Sequence, residues 1–452
     1  MTIDVREEIA VAPLRRYHVF LAALIALVVF FDGYDNFNPS YVIHYVSEPW
    51  HLRQGQAGLL VSSGLFGFMI SALVQGAISD RYGRRTSLLI GLWIATFFSL
   101  ATALFANSFL TFCVFRLFTG LGLGILLPVS VTYMNEVAPR RVRQTFSTWG
   151  WTLGFIGGAV AASIVGVFLT PRFGWPVLFY LGSLSVVLAV ACHFLLPETP
   201  QCSAMRGNMR DVARVLARLN PARAAAYESP GVTFVLGEPS DRVASIPLLL
   251  SPRYRMISLP LWASAIFVLY GVYGITGWIP TVMMQRGETF AASFSYGALI
   301  MGSSFFGTLA CGYLADRLGR SREILTVWWC AGALCITVLA LVNLHWLNVL
   351  CLAGAGFFIV GAQGGLNNFT AGLYDTEIRG TAVGFMLGFG RIGAVLGPYI
   401  SGLLQQAIPG SSALFASLGL AVLFGALSVL FVRSGRPDNA GHALVPGPAT
   451  AG

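Results

Sequence analysis

Twelve apolar runs, each long enough to cross a lipid bilayer as a helix, follow one another at about 17–46, 55–79, 86–106, 109–134, 145–169, 175–196, 256–284, 293–315, 324–343, 346–372, 380–406 and 411–432. Their number leaves little choice of architecture, because backbone polar groups inside a bilayer must be satisfied within the chain, and helices do this segment by segment. Composition agrees. Of 452 residues 56% are hydrophobic and 10% charged, and the mean hydropathy is +0.72, a balance foreign to a soluble chain of this length. The expected fold class is an all-α polytopic membrane protein, with spans 1–12 numbered in chain order.

Residues 1–16 mix Arg6, Arg15 and Arg16 with Asp4, Glu7 and Glu8, and the apolar run behind them is too long for a cleaved leader and has no small-residue cleavage site. Span 1 is therefore expected to stay. All 28 basic residues are arginine; with the N-terminus inside, 23 fall in cytoplasmic segments, three outside (Arg53, Arg172, Arg286) and two within spans (Arg116, Arg391). That bias predicts both termini cytoplasmic and an even number of spans; the expected location is a bacterial-type inner (plasma) membrane, as a multi-pass protein. The net charge of +9 follows from the same rule and implies no nucleic-acid partner. The expected division is a cytoplasmic N-terminus (1–16), an N-terminal six-helix bundle (17–196), a cytoplasmic linker (197–255), a C-terminal six-helix bundle (256–432) and a disordered tail (433–452). In the linker Arg206, Arg210, Arg214, Arg218 and Arg223 recur at mostly helical spacing, which reads as an amphipathic helix lying along the membrane surface.

An internal repeat supports two related halves. Between spans 2 and 3 the chain reads GAISDRYGRR (76–85), and between spans 8 and 9 GYLADRLGRS (312–321), so Gly76, Asp80, Arg81, Gly83 and Arg84 return as Gly312, Asp316, Arg317, Gly319 and Arg320. A second echo joins NEVAPRRVR (135–143), with Glu136, Arg140, Arg141 and Arg143, to DTEIRG (375–380), with Glu377 and Arg379. Glycine permits the tight turn between spans, and the charges around it, with Arg85, can pair differently when helices shift. These loops read as a conformational latch or, more plainly, as anchors of topology. Parallel halves place a transport site near the midplane where they meet.

GAISDRYGRR resembles the signature loop of the major facilitator superfamily, and RLFTGLGLG (116–124) resembles its span-4 motif. DGYD in span 1, GWIPTVM at the end of span 7 and GRIGAVLGP (390–398) in span 11 are similar to the aromatic acid/H+ symporter family. The resemblance covers essentially the whole chain. It implies the major facilitator fold, two pseudo-symmetric six-helix bundles working by alternating access, with a small-molecule substrate, protons and membrane lipid as partners, no cofactor, no metal and a monomeric unit. The glycines of RLFTGLGLG are no dinucleotide fingerprint, since no strand precedes them; Gly120 and Gly124 instead let a neighbouring helix approach.

Two features carry the chemistry. Span 1 contains FFDGYDNFNPSY (30–41), and Asp32, Asp35 and Asn36 read as one polar face turned to a central cavity while Phe30, Phe31 and Phe37 pack elsewhere. Arg116, costly inside a membrane by at least about 2.5 kcal/mol, lies at matching depth. Asp32, Asp35 and Arg116 are expected to couple protons, as the resemblance implies for a span-1 aspartate and the span-4 arginine; one aspartate could instead neutralise Arg116 statically. Arg391, with no acidic neighbour in its own span, is the candidate for a substrate carboxylate. Tyr34, Tyr270, Tyr273 and Trp278 could stack on a ring, or belong to interfaces. Gln363 and Asn367, four apart, could bond substrate hydroxyls or neighbouring helices.

Rival readings lose ground on particular positions. Phe155 stands where a drug antiporter would place a span-5 proline, and span 7 lacks the paired glutamines of sugar symporters. Six histidines show no HxxxH or HExxH spacing and seven cysteines no metal-ligand spacing, which argues against an enzyme; a chain without lysine cannot hold retinal. The expected function is a proton-coupled symporter importing a small aromatic carboxylate of benzoate or hydroxybenzoate type. The alternatives are another organic acid or a sugar, and further off a drug/proton antiporter or a transporter-like sensor.

Overall fold

The computed structural model describes residues 2–227, 229, 232–236, 246–375 and 378–432, with the backbone alone at 143–152 and 246; the expected disordered tail and Glu377 lie outside them. The spans are Arg16–Val46, Gln54–Tyr82, Arg84–Phe105, Phe109–Val137, Arg143–Phe168, Pro176–Leu195, Arg255–Gln285, Phe290–Leu318, Ser321–Leu341, His345–Leu373, Arg379–Ala407 and Ser412–Leu430. Among the described residues eleven are long and apolar enough to cross a bilayer, and span 5 contributes the shorter apolar stretch Leu153–Phe168. The chain is a multi-pass membrane protein of twelve helices. Span 10 passes through a π-helical segment at Gly356–Val360 before resuming at Gln363, a break of the kind found where a helix re-aims side chains.

Local chemistry explains where helices turn and how closely they pack. Gly83, at φ 92°, ends span 2 and starts span 3 in backbone space that other residues avoid. Ser108 and Thr111 cap each other at the start of span 4. A side chain on Gly120 would run into the carbonyl of Gly64, so spans 2 and 4 touch backbone to backbone.

The N-terminal segment and the linker form one cap. Strand β1 (Thr2–Asp4) pairs in parallel with β2 (Thr233–Val235), and helices α1 (Val5–Val11), α2 (Pro200–Met205) and α3 (Met209–Leu219) lie beside them. The surface-lying helix read from the linker is α3, and here the structure corrects the sequence. Val212, Val215, Leu216 and Leu219 are all buried, packed in one cluster with Ile3, Val5, Ile9 and Ile25. Protein, not lipid, covers the apolar stripe, because the N-terminal segment folds back across it. Glu8 ties the two pieces, accepting from Arg223 Nη1 at 2.7 Å and from the Tyr227 hydroxyl.

The two bundles meet at the end of the molecule opposite this cap. Ser62 Oγ donates to the Val395 carbonyl at 2.7 Å, the Gly55 N–H to Gln406 Oε1 at 3.4 Å, and Ser163 Oγ to the Phe294 carbonyl at 2.6 Å. His44 and Tyr45 lay their rings against Phe290 and Phe294. These hydrogen bonds between the bundles lie in the far half of the spans.

Candidate functional site

The polar stretch of span 1 divides in two. Asp35 faces into its own bundle, where its Oδ1 accepts from Ser99 Oγ of span 3 at 3.2 Å and from Asn38 Nδ2 at 3.2 Å. Arg116 of span 4, 1% exposed, donates from Nη2 to the Asp35 backbone carbonyl at 2.7 Å, while its Nη1 stands 4.0 Å from Asp35 Oδ1. The Phe179 ring lies 5.4 Å from the guanidinium. Asp32, fully buried, holds its Oδ1 on Asn36 Nδ2 at 3.2 Å and leaves Oδ2 without a hydrogen-bond partner. Arg391 of the other bundle acts on it only through space. The expectation that both aspartates share Arg116 across a common cavity face is therefore corrected. Residues three apart on a helix stand about 300° apart in rotation, within 60° of one another, and that divergence suffices to send one toward spans 3, 4 and 6 and the other toward span 11.

Arg391 sits near the middle of span 11, 4.0 Å from the centroid of the Phe68 ring of span 2, and donates from Nη1 to the Tyr273 hydroxyl of span 7 at 2.9 Å. Tyr273 in turn lies parallel to Phe37 of span 1, with ring centroids 6.3 Å apart and planes at 4°. Phe37, set aside in the sequence as packing elsewhere, is thus part of this aromatic cluster, and Phe68 carried no sequence signal at all. Both are ordinary aromatic residues until the partner bundle is in place.

Other candidates go elsewhere. The Tyr34 hydroxyl donates to the Leu178 carbonyl at 3.0 Å inside the N-terminal bundle, and Trp278 Nε1 donates to the Pro398 carbonyl at 2.8 Å in a fully buried position. Tyr270 turns to Ser417 of span 12, with oxygens 3.4 Å apart. These three are corrected from ring-stacking candidates to packing residues in this conformation, since each spends its polar tip on a neighbouring helix. Gln363 keeps both amide atoms, and Asn367 its Oδ1, buried and unpartnered just beyond the π segment of span 10. Polar atoms left so are open to a ligand or water.

A family model described as the Major Facilitator Superfamily matches residues 23–386 and 304–449. The chain belongs to that superfamily. As a facilitator it is a membrane transporter and not an enzyme. It is similar to the gallate transporter of Pseudomonas putida, 34% identical over 95% of this chain and 94% of that one. The 4-hydroxybenzoate transporter of Acinetobacter baylyi is 30% identical over 89% of this chain and 88% of its own length. A solved structure of the xylose transporter XylE from E. coli superposes with a TM-score of 0.72 at 16% identity, covering 92% of this chain and 98% of that one, and shares the fold.

The two signature loops of this facilitator are not equal in structure. In the first, Arg84 is 8% exposed and bonds Asp80 Oδ1 at 2.8 Å and Glu136 Oε1 at 3.0 Å. Glu198 caps the start of span 3 by accepting from the N–H groups of Arg84 and Arg85 at 3.0 and 3.1 Å. Arg85 Nε reaches the Leu196 carbonyl at 2.7 Å, and the Arg81 carbonyl takes Arg206 Nη2 at 2.7 Å. Arg140 is exposed and contributes its backbone N–H to Ala10, so Glu136 pairs with Arg84 and not with Arg140; the side chain of Arg143 lies outside the description. A Cβ at Gly76 would meet nothing within 4 Å. In the second loop Asp316, Arg317 and Arg320 are exposed, with Arg317 on the Tyr313 hydroxyl at 3.2 Å and Gly319 at φ 64°. Arg379 Nε is buried without a partner among the described residues. Sequence symmetry thus overstates structural symmetry.

Proposed function

We propose that this facilitator is a proton-coupled symporter that imports a small aromatic carboxylate by alternating access, as a monomer, in a bacterial-type inner membrane with both termini cytoplasmic. The observation that carries the reading is Arg391: a guanidinium at mid-span, between the bundles, hydrogen-bonded to a neutral tyrosine and walled by Phe68, Tyr273 and Phe37. A guanidinium selects a carboxylate by its two parallel donors, and the aromatic walls suit a flat ring. Relatives named for gallate and 4-hydroxybenzoate agree with that chemistry. Arginine asymmetry supports the orientation, and closure of the bundles at the far end then corresponds to a state facing the cytoplasm. Asp32, Asp35 and Arg116 supply the coupling charges; Gln363 and Asn367 are placed to bond ring hydroxyls; the loops around Arg84 and Arg320 act as the latch.

The test is uptake of labelled benzoate, 4-hydroxybenzoate, gallate, nicotinate and a hexose into proteoliposomes, with and without an inward proton gradient. Gradient-dependent accumulation of at least one aromatic acid is expected. Accumulation of the hexose alone would remove Arg391 from the substrate site, and accumulation of an acid indifferent to the gradient would remove the coupling.

A further inference from the structure

A cavity of about 590 Å³ lies where the first signature loop meets the cap, apart from the residues around Arg391. Its wall comes from separate pieces of the chain. α1 gives Arg6, the turn between spans 2 and 3 gives Asp80, Arg81 and Arg84, span 4 gives Glu136, and α2 with the residue that ends it gives Met205 and Arg206. Four arginines therefore share the cavity with two carboxylates. Both carboxylates are taken by one of the four, since Arg84 bonds Asp80 at 2.8 Å and Glu136 at 3.0 Å. Among the described residues Arg6, Arg81 and Arg206 form no ion pair. Arg206 Nη2 donates to the Arg81 carbonyl at 2.7 Å, which draws two of these arginines together with no negative charge between them. Glu198, beside Gly83, is outside the lining and has its Oε1 on the backbone N–H groups of Arg84, Arg85 and Thr199. The arrangement is not a general property of such a loop. At the repeat positions Arg317 and Arg320 are exposed, and Arg317 turns to the Tyr313 hydroxyl at 3.2 Å.

We propose that this cavity binds a phosphate-type dianion from the cytoplasmic solution, held by Arg6, Arg81 and Arg206. Only the word cytoplasmic rests on the orientation proposed above. Guanidinium groups gathered around one space repel each other, and their forked donors match phosphate oxygens. The surplus of two positive charges in the lining equals the charge of a phosphate monoester, which is about −1.5 to −2 near neutral pH. The volume falls in the range of small-molecule sites, about 300–1,000 Å³. Because α1 and α2 of the cap form part of the wall, the geometry favours a dissolved ion over a lipid headgroup of the same chemistry. Bound there, the anion ties α1, the signature loop and α2 to one another.

The experiment follows the melting temperature of the purified full-length protein in detergent while inorganic phosphate or glycerol phosphate replaces chloride at constant ionic strength and neutral pH. Wild type is expected to show a rise that saturates with each. Arg6→Gln and Arg206→Gln should each raise the half-saturating phosphate concentration roughly tenfold or more, the loss of one charged hydrogen-bond donor. Met205→Glu adds a carboxylate to the wall without deleting an arginine and should weaken binding as much, which keeps the test open if an arginine variant folds poorly; Met205→Gln should stay within about threefold of wild type. No saturating rise in wild type, or half-saturation unmoved in Arg6→Gln, Arg206→Gln and Met205→Glu, overturns the site. A response that persists in nanodiscs containing phosphatidate supports the dissolved ligand. One that vanishes there and survives in phosphatidylcholine discs gives the cavity to a lipid headgroup and overturns it. None of these outcomes touches Arg391 or the transport reading.

Discussion

Arg391 lies 4.0 Å from one ring centroid and bonds the hydroxyl of another ring, so its position is held by two contacts that cost it no charge. A cation over phenylalanine is worth about 0.5–2 kcal/mol, and a hydrogen bond from a charged donor about 1.5–3 kcal/mol. Lysine keeps the charge and loses the fork. Arg391→Lys is therefore expected to weaken aromatic acid binding at least tenfold, about 1.4 kcal/mol, which equilibrium binding in detergent would reveal; unchanged affinity would exclude Arg391 from the site. Tyr273→Phe retains the ring against Phe37 and removes the acceptor. A smaller rise in KM, roughly three- to tenfold by loss of one orienting hydrogen bond, is expected in uptake assays, with maximal rate little changed. At this scale the sequence disclosed Arg116, Arg391, Asp32 and Asp35 because charge inside an apolar run is conspicuous. It did not disclose Phe37 or Phe68, since a ring packed near Arg391 and a ring that faces lipid are the same residue type.

The turn between spans 2 and 3 shows what an element adds. Arg84 and Glu136 are both 8% exposed, whereas Asp80 leaves 71% of its side chain in solvent. Breaking a buried pair strands a charge and costs about 3–5 kcal/mol; an exposed pair is worth about 0–1 kcal/mol. Arg84→Ala should therefore lower the melting temperature measurably in detergent, while Arg320→Ala, at the exposed repeat position, should fall within about 0.5 kcal/mol of wild type. Equal losses at both sites would contradict the asymmetry. The repeat was legible because both loops retain the same glycine and charges. Its unequal use was not, because Glu198 and Thr199, which hold the first loop, come from the segment between span 6 and α2, and Thr199 Oγ1 reaches Glu136 at 2.5 Å.

Across the whole molecule the bundles close at one end through very tight contacts. A Cβ at Gly58 would run into the Pro398 carbonyl, and one at Gly402 into the Gln54 carbonyl. Gly58→Leu is expected to hold the bundles apart at that face and to raise maleimide labelling of a Ser62→Cys reporter from that side, with transport reduced more than tenfold. Gly120→Leu, whose obstacle lies within one bundle, should instead reduce folded yield. Labelling of the reporter unaffected by Gly58→Leu would show that this face does not open there.

Spans, the expected orientation and the twofold repeat follow from residue-by-residue quantities: transfer free energies and arginine counts that add along the chain with little regard to what packs against what. The pairing of charges does not add in this way. Which aspartate meets Arg116, and whether the stripe of α3 lies on lipid or in a cluster with Ile3, Val5 and Ile9, depend on helix rotation and on neighbours far away in sequence. Those are settled only when all twelve helices pack at once, because a carboxylate takes the cation that the fold brings beside it and not the one that composition supplies.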